Sequence, residues 1–150
     1  MTASFHPWWL DIEQFDETFV VRFTQRGPLD EGTGYALGQY LAKLVVDRGG
    51  RHLVLNFGHV DYVTSMIIGR LLALNKQLAA RNGRLTLCGV TAPLRELFDL
   101  VRLPMLIPVY ETEEEALDAL AALKTRHILR RAAPLRRIIQ RARATLHRVH

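Results

Sequence analysis

Apolar residues in this chain recur at two spacings, and each spacing predicts one kind of secondary structure. Short apolar or alternating runs bounded by Gly, Pro or Asn predict strands, and recurrence near 3.6 residues predicts helices. Strands are predicted over residues 8–14, 18–24, 52–57, 84–88 and 106–109. Helices are predicted over residues 35–47, 66–81 and 93–102, and a further helix begins at Thr112. Residues 58–62 are predicted to form a loop.

The predicted helix over 66–81 has the clearest pattern. Its core-facing residues are expected to be Ile67, Ile68, Leu71, Leu72, Leu74 and Leu78. Thr64 or Ser65 can cap its start, and Asn82-Gly83 can end it. On the helix over 93–102, the residues expected to face inward are Leu94, Leu97, Phe98 and Val101.

The predicted elements follow the order β-β-α-β-α-β-α-β-α. Strands that alternate with helices indicate an α/β fold, with a mixed, largely parallel sheet covered by helices. The first two strands are expected to form an antiparallel hairpin. A length of 150 residues suits one such domain with an appendage.

The net charge of +5 is unevenly distributed. Residues 1–123 carry 11 Lys and Arg against 15 Asp and Glu, whereas residues 124–150 carry nine Lys and Arg and no acid. We therefore divide the chain into a domain over 1–123 and a basic tail over 124–150. One predicted helical face of the tail carries Leu135, Ile138, Ile139, Ala142 and Leu146, so the tail is expected to be an amphipathic helix. Its charge predicts an acidic partner: nucleic acid, anionic lipid or the acidic part of the chain itself.

Several classes of function have no support in the sequence. No apolar run approaches the ~18 residues of a membrane span, and residues 1–9 lack a signal-peptide pattern, so we expect a cytoplasmic protein of bacterial type. The single cysteine, Cys88, excludes an internal disulfide or a cysteine metal cluster and is expected to be buried. No glycine-rich phosphate loop, His-Glu-x-x-His or Cys-x-x-Cys pattern is present. We expect no enzyme activity, cofactor, metal or small-molecule substrate.

Residues 53–72 show a recognisable order of features: a buried strand, a loop, and Thr64-Ser65-Met66-Ile67-Ile68-Gly69 at a helix start. This order resembles the core of the STAS domain, the family of sulfate-transporter tails and anti-sigma factor antagonists. The flanking segments that resemble family motifs are Gly27-Pro28-Leu29-Asp30, residues 82–90, and the helix, strand and acidic helix over 94–119. The resemblance covers about residues 10–123 and implies a STAS-like fold.

The resemblance also implies a protein that binds other proteins and acts by partner switching. In the family, a serine at this helix start is phosphorylated by a partner kinase that is also the anti-sigma factor. Ser65 occupies that position, and Thr64 is a second candidate phosphoacceptor. The partner-binding residues are expected to be Asp30, Asp61, Thr64, Ser65, Met66 and Ile67. A helix start also favours an anion, because its free N–H groups and dipole attract negative charge.

Other interpretations of the same residues stay open at this point. Thr64, Ser65 and Asp30 can each be a plain N-cap of a helix. The surface around residues 64–68 can dock a partner without any phosphorylation, which would make the chain a scaffold protein. The basic tail gives a third alternative, a protein that binds nucleic acid or a membrane surface.

Overall fold

The computed structural model describes residues 9–131, and side chains over 9–126. The strands are β1 Leu10–Phe15, β2 Thr18–Phe23, β3 Gly27–Leu29, β4 His52–Asn56, β5 Val60–Val63, β6 Leu85–Cys88 and β7 Val109–Tyr110. The helices are α1 Glu31–Arg48, α2 Ser65–Ala79, α3 Ala92–Leu100 and α4 Glu113–Arg131, with a 3-10 turn at Leu103–Met105. The predicted α/β class and the alternation of strands with helices are confirmed.

The main sheet has five strands in the order β1-β2-β4-β6-β7. The hairpin β1–β2 is antiparallel, as predicted, and the other neighbours are parallel. Asp16 turns the hairpin with a φ of 53°, a left-handed conformation that Asp tolerates better than most residues. The central strands β4 and β6 are largely apolar because both faces of the sheet are covered, and Val54 and Leu87 are completely buried.

A second, two-stranded sheet was missed by the sequence pattern. β3 and β5 pair in parallel, with Leu29 opposite Val63. The prediction of a loop over 58–62 is therefore wrong at its end, where Val60–Val63 forms a strand. Such short strands have no detectable periodicity, and their pairing depends on contacts between segments far apart in the sequence. Because α1 follows β3 and α2 follows β5, this pairing places the two helix starts side by side.

The segment between α3 and β7 differs from the prediction in two ways. α3 ends at Leu100, so Val101 is 49% exposed instead of facing inward. The last strand is only Val109–Tyr110, because Leu106 and Ile107 form the turn that follows the 3-10 segment Leu103–Met105, and Pro108 cannot donate a backbone hydrogen bond to a sheet. Cys88 is fully buried in β6, as expected.

α4 starts at a capped turn, in which the Thr112 hydroxyl accepts a hydrogen bond from the Glu115 N–H at 3.1 Å. The chain divides into two compact units, residues 1–117 and 118–150. α4 passes position 124 without a break, and the division of the chain at 123/124 stays a prediction. The amphipathic stretch predicted from Leu135 onward lies outside the described residues. No helix in the described part of the chain is long and apolar enough to cross a membrane.

Candidate partner-docking site

Two capped helix starts form the centre of the site. Asp30 caps α1, and its Oδ1 accepts a hydrogen bond from the Thr33 N–H at 2.9 Å. This bond holds the pKa of the Asp30 carboxyl below its ordinary value, so Asp30 is a carboxylate at neutral pH. Thr64 caps α2, and its Oγ1 accepts a longer bond from the Ile67 N–H at 3.4 Å. The capping roles anticipated for these two residues are therefore present in the structure.

Ser65 differs from its neighbour Thr64 in what its hydroxyl does. It is the first residue of α2 and is exposed. Within the part of the chain that the structure describes, no hydrogen bond of the Ser65 hydroxyl is found, whereas the Thr64 hydroxyl is half-buried and occupied by its capping bond. Of the two candidate phosphoacceptors, Ser65 is the more accessible.

The next two residues of α2, Met66 and Ile67, differ in exposure. Met66 is 45% exposed, and Tyr62, just before α2, is 59% exposed. Ile67 is only 1% exposed and lies against Gly34 of α1. This burial confirms the expectation from periodicity that Ile67 faces the core, where its side chain packs α2 against α1. Its expected part in partner binding stays a prediction.

Asp61 has an intramolecular partner. Its Oδ1 lies 2.8 Å from Nη1 of Arg26, and both side chains are about half exposed. Arg26 also donates a hydrogen bond to the Gly58 carbonyl at 3.3 Å. The pair bridges the segments before β3 and inside β5, so the Asp61 carboxylate is already compensated, unlike that of Asp30.

We define the docking edge as Asp30, Asp61, Tyr62, Ser65 and Met66, the exposed side chains around the two helix starts. Four of these residues were proposed for partner binding from the sequence, and Tyr62, which was assigned to a loop, was not included. Arg26 was missed as well. An arginine that binds an aspartate 35 positions away leaves no local signal in the sequence.

A second polar cluster lies at the carboxyl ends of β2 and β4. Arg22 binds both carboxylate oxygens of Glu113, at 2.7 and 2.8 Å, and Asn56 donates to Glu113 at 2.7 Å. The hydrogen bond from Arg22 is the main cause that lowers the pKa of Glu113, while burial raises the pKa of the nearby Cys88 thiol to about 12. The cluster joins the sheet to the start of α4. Among the described residues, no group of three or more His, Cys, Asp or Glu could hold a metal ion.

The fold and the two helix starts define a STAS domain. The family model of the STAS domain matches residues 10–116, and the chain belongs to this family. The resemblance seen in the sequence is thereby confirmed.

Relatives within the family carry more specific names. The chain is 25% identical to an anti-sigma F factor antagonist of Paenibacillus polymyxa over 111 residues, which is 74% of this chain and 93% of the relative. It is 36% identical to BtrV of Bordetella bronchiseptica, assigned as an anti-sigma factor antagonist, over 80 residues, 53% of this chain and 66% of the relative.

Solved structures show the same fold. The unphosphorylated form of the anti-sigma factor antagonist SpoIIAA matches 75% of this chain and 96% of its own, with a TM-score of 0.65 and 24% identity. The Bacillus SpoIIAA structure in its phosphorylated form matches 74% of this chain and 98% of its own, with a TM-score of 0.58.

Proposed function

We propose that this chain is a regulatory protein of the anti-sigma factor antagonist type, which acts by partner switching. The unmodified chain captures an anti-sigma factor that is also a serine kinase, and phosphorylation of Ser65 releases it. The observation that carries the proposal is the exposed Ser65 hydroxyl at the start of α2, beside the cap of α1. The relatives named as anti-sigma factor antagonists support the same function. In this role the chain is bound and modified in the cytoplasm and catalyses nothing itself.

Ser65 is the proposed phosphoacceptor because a kinase needs a hydroxyl that it can reach. The Thr64 residue is half-buried and its hydroxyl already accepts the capping bond from the Ile67 N–H, so a kinase would reach it less easily. A phosphate on Ser65 adds about −1.5 to −2 charges at pH 7. The helix start tolerates this charge locally, so the folded domain should persist after modification.

Release follows from what the phosphate does at the docking edge. Tyr62 and Met66 offer apolar surface, and a partner that packs on them must also cover Ser65. A bare hydroxyl is covered at a small cost, whereas a phosphate must lose much of its hydration. The exposed carboxylate of Asp30 lies at the same edge. A partner that covers this edge would exclude water from between the Asp30 carboxylate and the phosphate, and the repulsion between these two like charges would then oppose binding.

The test begins with recovery of the partner by affinity capture on the full chain, followed by calorimetric titration. Ser65→Asp is expected to weaken binding by tenfold or more, because ~1.4 kcal/mol corresponds to a factor of ten. Ser65→Ala should bind almost as well as the unmodified chain. Thr91→Asp is a matched control, since Thr91 is the N-cap residue of α3, makes no side-chain capping bond, and receives the same charge at a different helix start. Equal affinities for Ser65→Asp and the unmodified chain would refute the switch.

The leading alternative is a scaffold protein that uses the docking edge without modification. Mass spectrometry of Ser65 in protein from the native cell separates the two. A chain that is never phosphorylated, yet binds through Tyr62 and Met66, would be a scaffold. The basic residues 124–150 favour a further binding activity toward an acidic surface, which is independent of the docking edge.

A further inference from the structure

A group of apolar side chains stands exposed at the end of α3, on a surface with no assigned role. We call it the α3 patch; it consists of Leu100, Val101, Met105 and Leu106, which are 82%, 49%, 77% and 64% exposed. These are four of the nine large apolar residues that are highly exposed among the described residues, and they fall within seven consecutive positions. Isolated exposed apolar residues are ordinary, but a contiguous group marks an interaction surface.

The backbone that presents the α3 patch is firmly anchored. Leu103 and Ile107 lie between and beside the exposed residues and are 2% and 0% exposed. Arg102 has a φ of 58°, and this left-handed residue caps the start of the 3-10 turn that follows α3. The patch is therefore a fixed surface of the folded domain, ready to be covered without prior folding.

The charges around the α3 patch are balanced. Arg95, Glu96, Asp99 and Arg102 are all exposed, and none of them takes part in an ion pair found among the described residues. With two cations and two carboxylates, these four residues carry no net charge, so a second copy of the same surface would meet no net repulsion and could pair cations with carboxylates. Self-complementarity is the requirement of a two-fold symmetric interface, in which each copy presents the same patch. A strongly charged partner would instead favour an excess of one sign.

We propose that the α3 patch is the interface of a homodimer, and that its occupant is the α3 patch of a second copy of this chain. Four side chains exposed to this degree form a patch in the range of about 300–600 Å² that is often functional in monomers. Two such patches in contact approach the ~1,000 Å² that a specific interface requires. The dimer is therefore expected to be reversible and to dissociate on dilution.

This dimer would leave the docking edge accessible. The Leu106 carbonyl accepts a hydrogen bond from Asn75 of α2 at 3.3 Å, and Asn75 lies ten residues after Ser65. Ten helical residues span about 15 Å, so the α3 patch and the helix start of α2 are separated along the same helix. Each dimer would present two docking edges. The proposal does not depend on the phosphorylation of Ser65.

Molar mass measured by sedimentation of the full chain over a range of concentrations tests the dimer. The native chain should move from monomer to dimer mass as concentration rises, also at high salt, where interactions of the basic tail are screened. Leu100→Glu and Met105→Glu should each weaken association at least tenfold. Val46→Glu is the matched control, because Val46 is 57% exposed on α1, outside the α3 patch, and should dimerise like the native chain. Circular dichroism checks that each variant is folded.

Cysteine cross-linking provides a second, independent measurement. The single native cysteine, Cys88, is buried, so an introduced cysteine is the only readily oxidised thiol in the chain. In a symmetric dimer, Met105→Cys or Leu100→Cys should form a disulfide-linked dimer under mild oxidation, while Val46→Cys should not. A native chain that stays monomeric at every concentration, or variants of the α3 patch that associate as well as the native chain, would overturn the proposal.

Discussion

Gly34 of α1 lies against Ile67 of α2, and replacing it with alanine tests whether this contact fixes the spacing of the two helices. A methyl group at position 34 would overlap Cδ1 of Ile67 and lie 3.3 Å from its Cγ1. Gly38, one turn further along α1, has no heavy atom within 4 Å of the same position. The same substitution in the same helix therefore meets a filled space at Gly34 and an open space at Gly38.

Two opposing effects decide the sign of the change. Alanine is favoured over glycine in a helix interior by about 1 kcal/mol. Overpacking of a filled core costs about 1–3 kcal/mol, and Ile67 has little freedom to move because it is β-branched and 1% exposed. Gly34→Ala should therefore lower the free energy of unfolding by about 1–2 kcal/mol, and Gly38→Ala should raise it by up to about 1 kcal/mol.

Urea unfolding of the full chain, followed by circular dichroism and fluorescence, measures both changes. Ile67→Val removes the overlapping Cδ1 atom and alone should cost about 0.5–1.5 kcal/mol. In a chain that already carries Gly34→Ala, the further substitution Ile67→Val should cost nothing or restore stability. The difference from its cost in the native chain gives a coupling of about 1 kcal/mol between the two positions. An unchanged m-value would show that the denatured state is not responsible.

Two outcomes would contradict this reasoning. If Gly34→Ala stabilised the chain as much as Gly38→Ala, Ile67 would have moved aside without cost. If the effects of Gly34→Ala and Ile67→Val were simply additive, the loss of stability would come from somewhere other than their contact. Either result would also remove the argument that the contact between Gly34 and Ile67 fixes the spacing of α1 and α2.

Four further predictions concern the polar cluster, the caps and the tail. Because the pKa of Glu113 is lowered in the folded chain, the Glu113 carboxylate stabilises the fold above its unfolded pKa, and this contribution is lost as pH falls through the folded pKa. The urea concentration at the unfolding midpoint should therefore decrease when the pH is lowered below about 4. The decrease should be smaller in Glu113→Gln, which has no charge beside Arg22 to lose. Thr64→Ala should lower the unfolding free energy by up to about 1 kcal/mol through loss of the cap, while Ser65→Ala should be nearly neutral. Equal losses in urea unfolding would contradict the assignment of the Thr64 hydroxyl, and not the Ser65 hydroxyl, as the cap of α2. A chain that ends at Leu123 should still unfold cooperatively on heating, since the core residues found in the described part of the chain precede that point. The same truncated chain should lose salt-sensitive binding to anionic vesicles or DNA, and equal binding by the full and truncated chains at low salt would exclude an external acidic partner for the tail.

The parts of the fold that the sequence predicted are those with long or strongly apolar patterns. α2 begins at Ser65 and the central strand β4 lies within the predicted residues 52–57, because a buried helix face and a buried strand impose their spacing on many residues at once. β3 and β5 are three and four residues long and impose no such spacing. Val101 was placed inward because the apolar pattern continues past the residue at which α3 ends.

The candidate site was predictable where it depends on local chemistry. Asp30 and Thr64 precede helices and could be identified as caps from their residue type alone. That the two caps lie side by side follows from the pairing of Leu29 with Val63, which could not be obtained from periodicity. Ile67 was expected to face the core from the periodicity of α2 and to bind a partner from its place in the family motif. Its burial against Gly34 confirms the first expectation, and the second stays a prediction.

The pairing of β3 with β5 also has a consequence for the population of binding-competent molecules. A two-stranded sheet of this length is marginally stable by itself, so its hydrogen bonds are expected to exchange with solvent through local openings that leave β4 and β6 folded. Each opening would separate the start of α1 from the start of α2. A partner that needs both would then bind only the closed fraction, and its apparent dissociation constant would rise in inverse proportion to that fraction. Substitutions inside this small sheet could therefore tune affinity without touching a single residue of the docking edge.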